Sequence, residues 1–450
     1  MRTWIKQPLA IWTGTDDRAD GGIVVDNGVI VELLSANGEP AEPVDSTFDA
    51  SELVVLPGLI NCHHHFYQTL TRAFSSALDK ELFAWLQALY PVWAGLDAEA
   101  IDASTELALA ELMLSGCTTT TDHHYLFTDE ILDAIDIQAA VGERLGLRLT
   151  LTRGSMSVGK SNGGLPPDHV VQDADTILAD SERLIAKYHD PDEDSFLQVA
   201  LAPCSPFSVS KELMRDTATL ARQHGVLLHT HLGETEDENA YCLEKFGQRP
   251  LDCLADLGWL EDDVWLAHGI HFDDDEVTRL GAAGVGISHC PSSNMVLASG
   301  TCRTRELETA GSPIGLGVDG SASNDASNAI QEVRQAFLLQ RLHYGAKHVS
   351  HLDALRWATH GGSRLLHRPE LGSLAVGQRA DLACFDLDDP RFSGFGDPLA
   401  ALILCGAHQV RDLMIDGEWR VLNGEIPDVD LGALTARHRA AAKRLADNAL

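Results

Sequence analysis

At 450 residues and 44% hydrophobic content the chain can bury a large core, as one large domain with an attachment or as two to three smaller ones. Acidic residues outnumber basic ones 67 to 33, and a net charge of -34 repels phosphate backbones and anionic lipid, so neither nucleic acid nor membrane is an expected partner. Nine cysteines without CxxC spacing, no apolar leader over residues 1–8 and no run of about 18 apolar residues make the cytoplasm the expected location.

The first fifty residues read as short strands with tight turns. Residues 22–31 form a predicted hairpin with Asn27-Gly28 at its tip. The same texture returns late in the chain, at 381–386 and at 413–419, where Asp416-Gly417 breaks the run, and Asn423-Gly424 adds another turn. Two β-rich ends predict one small sheet built from both termini. The expected unit is a small β-sandwich domain, 1–56 plus 369–450, with a C-terminal helix.

The middle alternates differently. Apolar runs begin near Val54, Thr118, Leu147, Leu197, Val226, Val264, Val285 and Ile314. Helix-length amphipathic segments separate them at 98–115, 128–145, 173–188, 211–224, 249–257 and 273–283, and 328–344 and 352–360 close the series. Eight such units predict an α/β chain with a (β/α)8 TIM-type barrel over 57–368. A dinucleotide-binding sheet would need a Gly-rich fingerprint after its first strand, and none is present.

Barrel chemistry belongs at the C-terminal ends of the strands, and polar residues cluster where these runs stop. The first ends in His63-His64-His65, the second in Asp122-His123-His124, the fourth in Cys204, and the fifth in His229-Thr230-His231 followed by Glu234. The sixth ends in His268 and His271, the seventh in His289 and Cys290, the eighth in Asp319. On a strand, His63 and His65 share a side and can grip one ion, with His64 pointing outward. His231 is a candidate third ligand, but His229 shares its face and spacing leaves that choice open. Asp319 would add a carboxylate. Three imidazoles, a carboxylate and water suit Zn2+ or Fe2+ with one open position. Glu234, three residues past His231, is placed as a proton shuttle, and His268 as its assistant.

These residues resemble the amidohydrolase superfamily. The likeness runs through Pro57-Gly58-Leu59-Ile60-Asn61-Cys62-His63-His64-His65, His231-Leu232-Gly233-Glu234, His268-Gly269, Gly317-Val318-Asp319 and the tail from Gly372 to Leu382. It implies one catalytic divalent metal, zinc before iron, held by His63, His65, His231 and Asp319, which selects His231 over His229. It also implies acid/base roles for Glu234, His268 and Asp319.

Within that superfamily the chain is similar to aminohydrolases of purines, pyrimidines and triazines, and most like the 8-oxoguanine deaminase group. His63-His64-His65-Phe66-Tyr67-Gln68-Thr69-Leu70-Thr71-Arg72 and Asp319-Gly320-Ser321-Ala322-Ser323-Asn324-Asp325 carry this likeness. It implies that Gln68 contacts the heterocycle, donating to one edge atom and accepting from its neighbour. Arg72 and Trp85 are further pocket candidates, with a surface and a core role respectively as alternatives. Thioadenosine and adenosylhomocysteine deaminases usually carry Ala-Pro-His where this chain has Ala202-Pro203-Cys204. Cys204 therefore favours a free base over a nucleoside. The lack of a lysine ending the fourth strand argues against a carboxylated-lysine dinuclear site.

The expected reaction is deamination of a small free heterocycle, 8-oxoguanine to urate and ammonia, with isocytosine a second substrate. A triazine N-alkylaminohydrolase is the alternative, and a non-catalytic barrel scaffold the remote one. A homo-oligomer is the expected state.

Overall fold

The computed structural model describes residues 1–448. At the N-terminus, β1 (Arg2–Lys6), β2 (Ala10–Ile11), β3 (Gly22–Asp26), β4 (Val29–Leu34), β5 (Ser46–Asp49) and β6 (Leu53–Pro57) precede the barrel. Asn27 and Gly28 adopt φ of 48° and 80°, the paired left-handed conformations that a two-residue hairpin turn between β3 and β4 demands. Eight strands then form the barrel: β7 (Leu59–Asn61), β8 (Cys117–His124), β9 (Arg148–Ser155), β10 (Leu197–Pro203), β11 (Leu228–Leu232), β12 (Val264–His268), β13 (Gly286–His289) and β14 (Ile314–Leu316). The last strands are β15 (Leu382–Asp386), β16 (Asp412–Ile415) and β17 (Glu418–Val421).

The barrel closes in the order β10-β11-β12-β13-β14-β7-β8-β9, with every neighbour parallel. Helices follow its strands, giving a (β/α)8 TIM barrel. The connection from β7 to β8 carries α1 (Leu82–Trp93) and α2 (Ala98–Leu114). Among the described residues no helix is long and apolar enough to cross a membrane.

The ends of the chain make two sheets, in keeping with the expected β-sandwich, and one of them is built from both termini. β4-β3-β1-β5 is wholly N-terminal, while β17-β16-β15-β6-β2 joins both ends of the chain. Each has an apolar face to cover, and Ile5, Ile23 and Val25 of the first pack in one cluster with Val55, Leu382 and Met414 of the second.

The apolar run beginning at Val54 is not one barrel strand. Gly58 divides it into β6, which pairs with β15 in the small sheet, and β7, which enters the barrel. A Cβ at Gly58 would lie 2.1 Å from Thr118 Oγ1, and its N–H donates to the Asp381 carbonyl at 2.9 Å. Only a residue without a side chain lets the run change sheets there. Apolar composition marks the run but not this division.

Two predicted helices also differ in extent. The segment 128–145 becomes helical only at Ala134, because turns such as Ile131 N–H to Thr128 carbonyl hold its first residues. The segment 352–360 is helix only over His351–Arg356. It continues as a wider π turn, Trp357–Gly361, where a Cβ on Gly361 would sit 2.0 Å from the Ile314 carbonyl oxygen.

The C-terminal helix, Leu431–Asn448, returns to the barrel and lies on α2. Arg437 pairs with Asp102 and Glu106, and Arg444 with Glu99 at 2.7 Å. His438 reaches further in, its Nε2 3.0 Å from Thr69 Oγ1.

Candidate active site

Four strand ends deliver polar residues to the same mouth of the barrel. His63 and His65 leave the end of β7, His231 lies in β11, His268 ends β12 and Asp319 follows β14. Asp319 and His268 both have left-handed backbones, at φ 62° and 72°. Such conformations carry strain for residues other than glycine and persist where surrounding structure enforces them. The Asp319 N–H donates to the His63 carbonyl at 3.0 Å, so the two strand ends hold each other.

The ring hydrogen bonds fix every imidazole tautomer in the cluster. His65 Nδ1–H donates to the His123 carbonyl at 2.7 Å, and His231 Nδ1–H to the Cys204 carbonyl at 2.7 Å. His229 Nδ1–H donates to the Trp265 carbonyl at 2.9 Å, which leaves its Nε2 to accept from His63 Nδ1–H at 2.8 Å. The Nε2 lone pairs of His63, His65 and His231 therefore all face inward.

They converge on a carboxylate. Asp319 Oδ1 lies 3.2 Å from His63 Nε2 and 3.3 Å from His65 Nε2, and His65 Nε2 lies 3.2 Å from His231 Nε2. Two nitrogen lone pairs at that distance, with no proton between them, repel each other unless a cation stands at their centre. The edges also match the ligand spacing of about 3.3–3.4 Å that a tetrahedral site with bonds of about 2.0–2.1 Å requires. The donor set fits a divalent metal ion.

Burial reinforces this. It pushes the imidazoles of His63, His231 and His229 well below the ordinary histidine range, so they remain neutral and free to ligate. Burial would raise the Asp319 carboxyl, but hydrogen bonding by His63 and His65 and the nearby His268 hold it well below the carboxylate range. His64 stays out of the cluster: its Nδ1 accepts the His65 N–H at 2.8 Å.

Beside these groups stand Glu234 and His268. Glu234 Oε2 is 3.5 Å from His268 Nε2, and Asp319 Oδ2 is 3.9 Å from the same nitrogen. His268 Nδ1–H donates to Asn294 Oδ1 at 3.0 Å, which turns Nε2 towards the carboxyls. Burial and the nearby Asp319 charge push the Glu234 carboxyl well above the glutamate range. Its backbone N–H is held by Glu238 Oε2 at 3.0 Å.

The cavity above these groups is bordered by Gln68, Trp85, Tyr90, Cys204 and Phe207. Gln68 sits in a single 3-10 turn, Phe66–Thr71, and its Oε1 has no hydrogen-bond partner among the described residues. The Trp85 indole N–H donates to the Ala322 carbonyl at 3.2 Å. Burial pushes the Cys204 thiol up to about 12, so it borders the cavity uncharged. Arg72 is a correction: it turns away to Glu111 on α2, Nη1 to Oε1 at 2.8 Å, and does not border the cavity. Its charge is satisfied by that partly buried carboxylate.

Sequence reasoning missed the supports. His229 backs His63, and the His123 ring stacks on His231 at 4.7 Å and 19° while its carbonyl holds His65. The strand-end histidine pattern marked both residues, His229 only as a rival to His231 for the metal and His123 with no role. Asn294 and Tyr90 carried no such mark.

Comparison with known proteins agrees with this geometry. The amidohydrolase family model matches residues 54–420. The chain is 60% identical over 444 residues to an 8-oxoguanine deaminase from Pseudomonas aeruginosa, covering 99% of each chain. It is 37% identical to a hydroxydechloroatrazine ethylaminohydrolase from Pseudomonas sp. strain ADP, covering 91% of this chain and 87% of that one. The zinc complex of atrazine chlorohydrolase TrzN from Arthrobacter aurescens TC1 superposes with a TM-score of 0.90 at 30% identity, covering 98% of this chain and all of that one.

Proposed function

The chain belongs to the amidohydrolase family, and from that footing we propose that it hydrolyses 8-oxoguanine to urate and ammonia, with isocytosine as a second substrate. The observation that carries this reading is the convergence of three inward Nε2 lone pairs and one carboxylate beside a buried glutamic acid.

His63, His65, His231 and Asp319 Oδ1 would hold one divalent ion, with zinc our assignment, as in the zinc-bound TrzN structure. When bound, that ion supplies a Lewis acid and a water ionised near neutral pH. Asp319 Oδ2, which faces His268 and Ser323 rather than the other ligands, takes a proton from the attacking water. Glu234 gives its proton to the ring nitrogen beside the amino-bearing carbon, which makes that carbon more electrophilic. His268, held by Asn294 through its Nδ1–H, stabilises charge developing on the oxygen added there once its Nε2 has taken up a proton. A second proton, delivered to the exocyclic nitrogen, releases ammonia, and the balance is substrate plus water to urate plus ammonia. Gln68 would read the neighbouring N–H and carbonyl of the six-membered ring through its free Oε1 and its amide hydrogens.

The residues 57–368 would form the catalytic barrel, and the ends of the chain the small β domain. A homo-oligomer is the proposed state. Ammonia release should be followed with 8-oxoguanine, isocytosine, guanine, cytosine and hydroxylated triazines. Turnover of the first two is expected, and turnover of neither would overturn the assignment. Release of an alkylamine from the triazines instead would select the triazine alternative.

A further inference from the structure

The cavity has one wall that this reaction scheme leaves idle. α1 covers it with Leu82, Trp85, Leu86 and Tyr90. The leucines offer no polar atom, and the Trp85 N–H is already spent on Ala322. What remains is the Tyr90 hydroxyl. Tyr90 borders the cavity, and its hydroxyl is buried with no hydrogen-bond partner among the described residues. A buried hydroxyl without a partner is a standing cost, and in a ligand cavity the natural partner is the ligand.

We propose that Tyr90 is a specificity-determining residue that donates its hydroxyl proton to the carbonyl oxygen on the five-membered ring of the substrate. The proposal rests on the 8-oxoguanine reading. In that reading the amino-bearing carbon lies against the ligand cluster and its ring nitrogen against Glu234. Gln68 belongs to the same end: its Oε1 lies against Gly320, directly after Asp319, so close that a Cβ there would be 1.9 Å away. The six-membered ring is thereby accounted for, and α1 is left to face the urea-type edge of the other ring, with its two N–H groups and one carbonyl.

The chemistry of this wall suits that edge. Burial pushes the Tyr90 phenol well above its ordinary range, so it keeps its proton and remains a donor. The neighbouring Cys204 thiol is likewise uncharged. A neutral carbonyl meets no ionised group on this wall, and Phe207 adds apolar contact for a flat ring.

Tyr90→Phe removes one oxygen and keeps the packing of the ring against Trp93, whose centroid lies 5.9 Å away. Isocytosine lacks the five-membered ring, so it serves as the internal control. The variant should lose roughly tenfold or more in kcat/KM for 8-oxoguanine and stay within about twofold of wild type for isocytosine. Urate carries the same edge, so its dissociation constant by calorimetry should rise by a similar factor, and that of uracil should not. Equal losses on both substrates, or no loss on 8-oxoguanine, would overturn the role of Tyr90 while leaving the reaction standing. A wild-type protein inactive on both would instead overturn the reaction, and the Tyr90 assignment with it.

Discussion

His229 stands behind His63, its Nε2 accepting the Nδ1–H of that ligand at 2.8 Å while its ring stacks on Trp265 at 4.3 Å. The bond sets the tautomer of His63 and so aims its Nε2 lone pair towards Asp319 and the proposed ion position. His229→Phe keeps the stacking and deletes the acceptor. Metal affinity, measured by competition with a chelator, should fall about tenfold to a hundredfold. Unchanged affinity would mean that His63 needs no such support.

Removing the ion exposes the repulsion between His65 and His231, whose Nε2 atoms are 3.2 Å apart. A metal held at about a thousand times its dissociation constant contributes about 4 kcal/mol to folding. Stripping it should lower the thermal midpoint by roughly 4 °C, and zinc should restore it. Elemental analysis of the native protein should find one ion per chain. A midpoint indifferent to chelation would remove the basis for a metal site.

Glu234→Gln keeps the size and the backbone bond to Glu238 while removing the transferable proton. The variant should retain its metal and lose about 100-fold to 10,000-fold in kcat. Normal turnover would show that the proton comes from elsewhere.

Glu238 offers a test by pH. Burial pushes its carboxyl from 4.5 up to about 8 in the fold. The folded state thus holds a proton that the unfolded chain has released across that interval. Its stabilising contribution is complete below about pH 4.5 and is lost as pH rises towards 8. Urea denaturation of wild type and Glu238→Gln at pH 4.5, 6 and 8 should show wild type losing stability relative to the variant with each step. A constant difference between the two would mean that the group ionises normally.

His438, far away in sequence, reaches Thr69, the residue after Gln68. Thr69 Oγ1 donates to the Phe66 carbonyl at 3.0 Å, so the hydrogen bond between them is given by His438. His438→Ala should raise KM several-fold for 8-oxoguanine and isocytosine alike with little change in kcat. Thr69→Val should reproduce the effect, and the double variant should add nothing. Additive losses, or a loss confined to kcat, would assign His438 to general stability.

The barrel was legible because its strands alternate with helix-length segments and its histidines recur at strand ends. The divide within 54–61 was not, since Gly58 matters through a neighbour, Thr118, sixty residues on. His63, His65, His231 and Asp319 were named from local pattern and resemblance, and the fold sets Asp319 against His63 and His65, and His65 against His231. Arg72 failed as a pocket residue because its partner, Glu111, lies on a helix whose orientation no local pattern reveals. Tyr90 was invisible for a related reason. On an apolar helix a tyrosine reads as core, and only the cavity on its far side separates it from one.

Cys204 divides its labour between two parts of one residue. Its carbonyl orients His231 at 2.7 Å, while its thiol borders the ligand cavity. The peptide oxygen is the same whatever side chain is attached. Evolution can therefore exchange residue 204 to admit a bulkier or differently polar compound and leave the hold on His231 intact, which makes this strand end a natural place for new selectivity to arise.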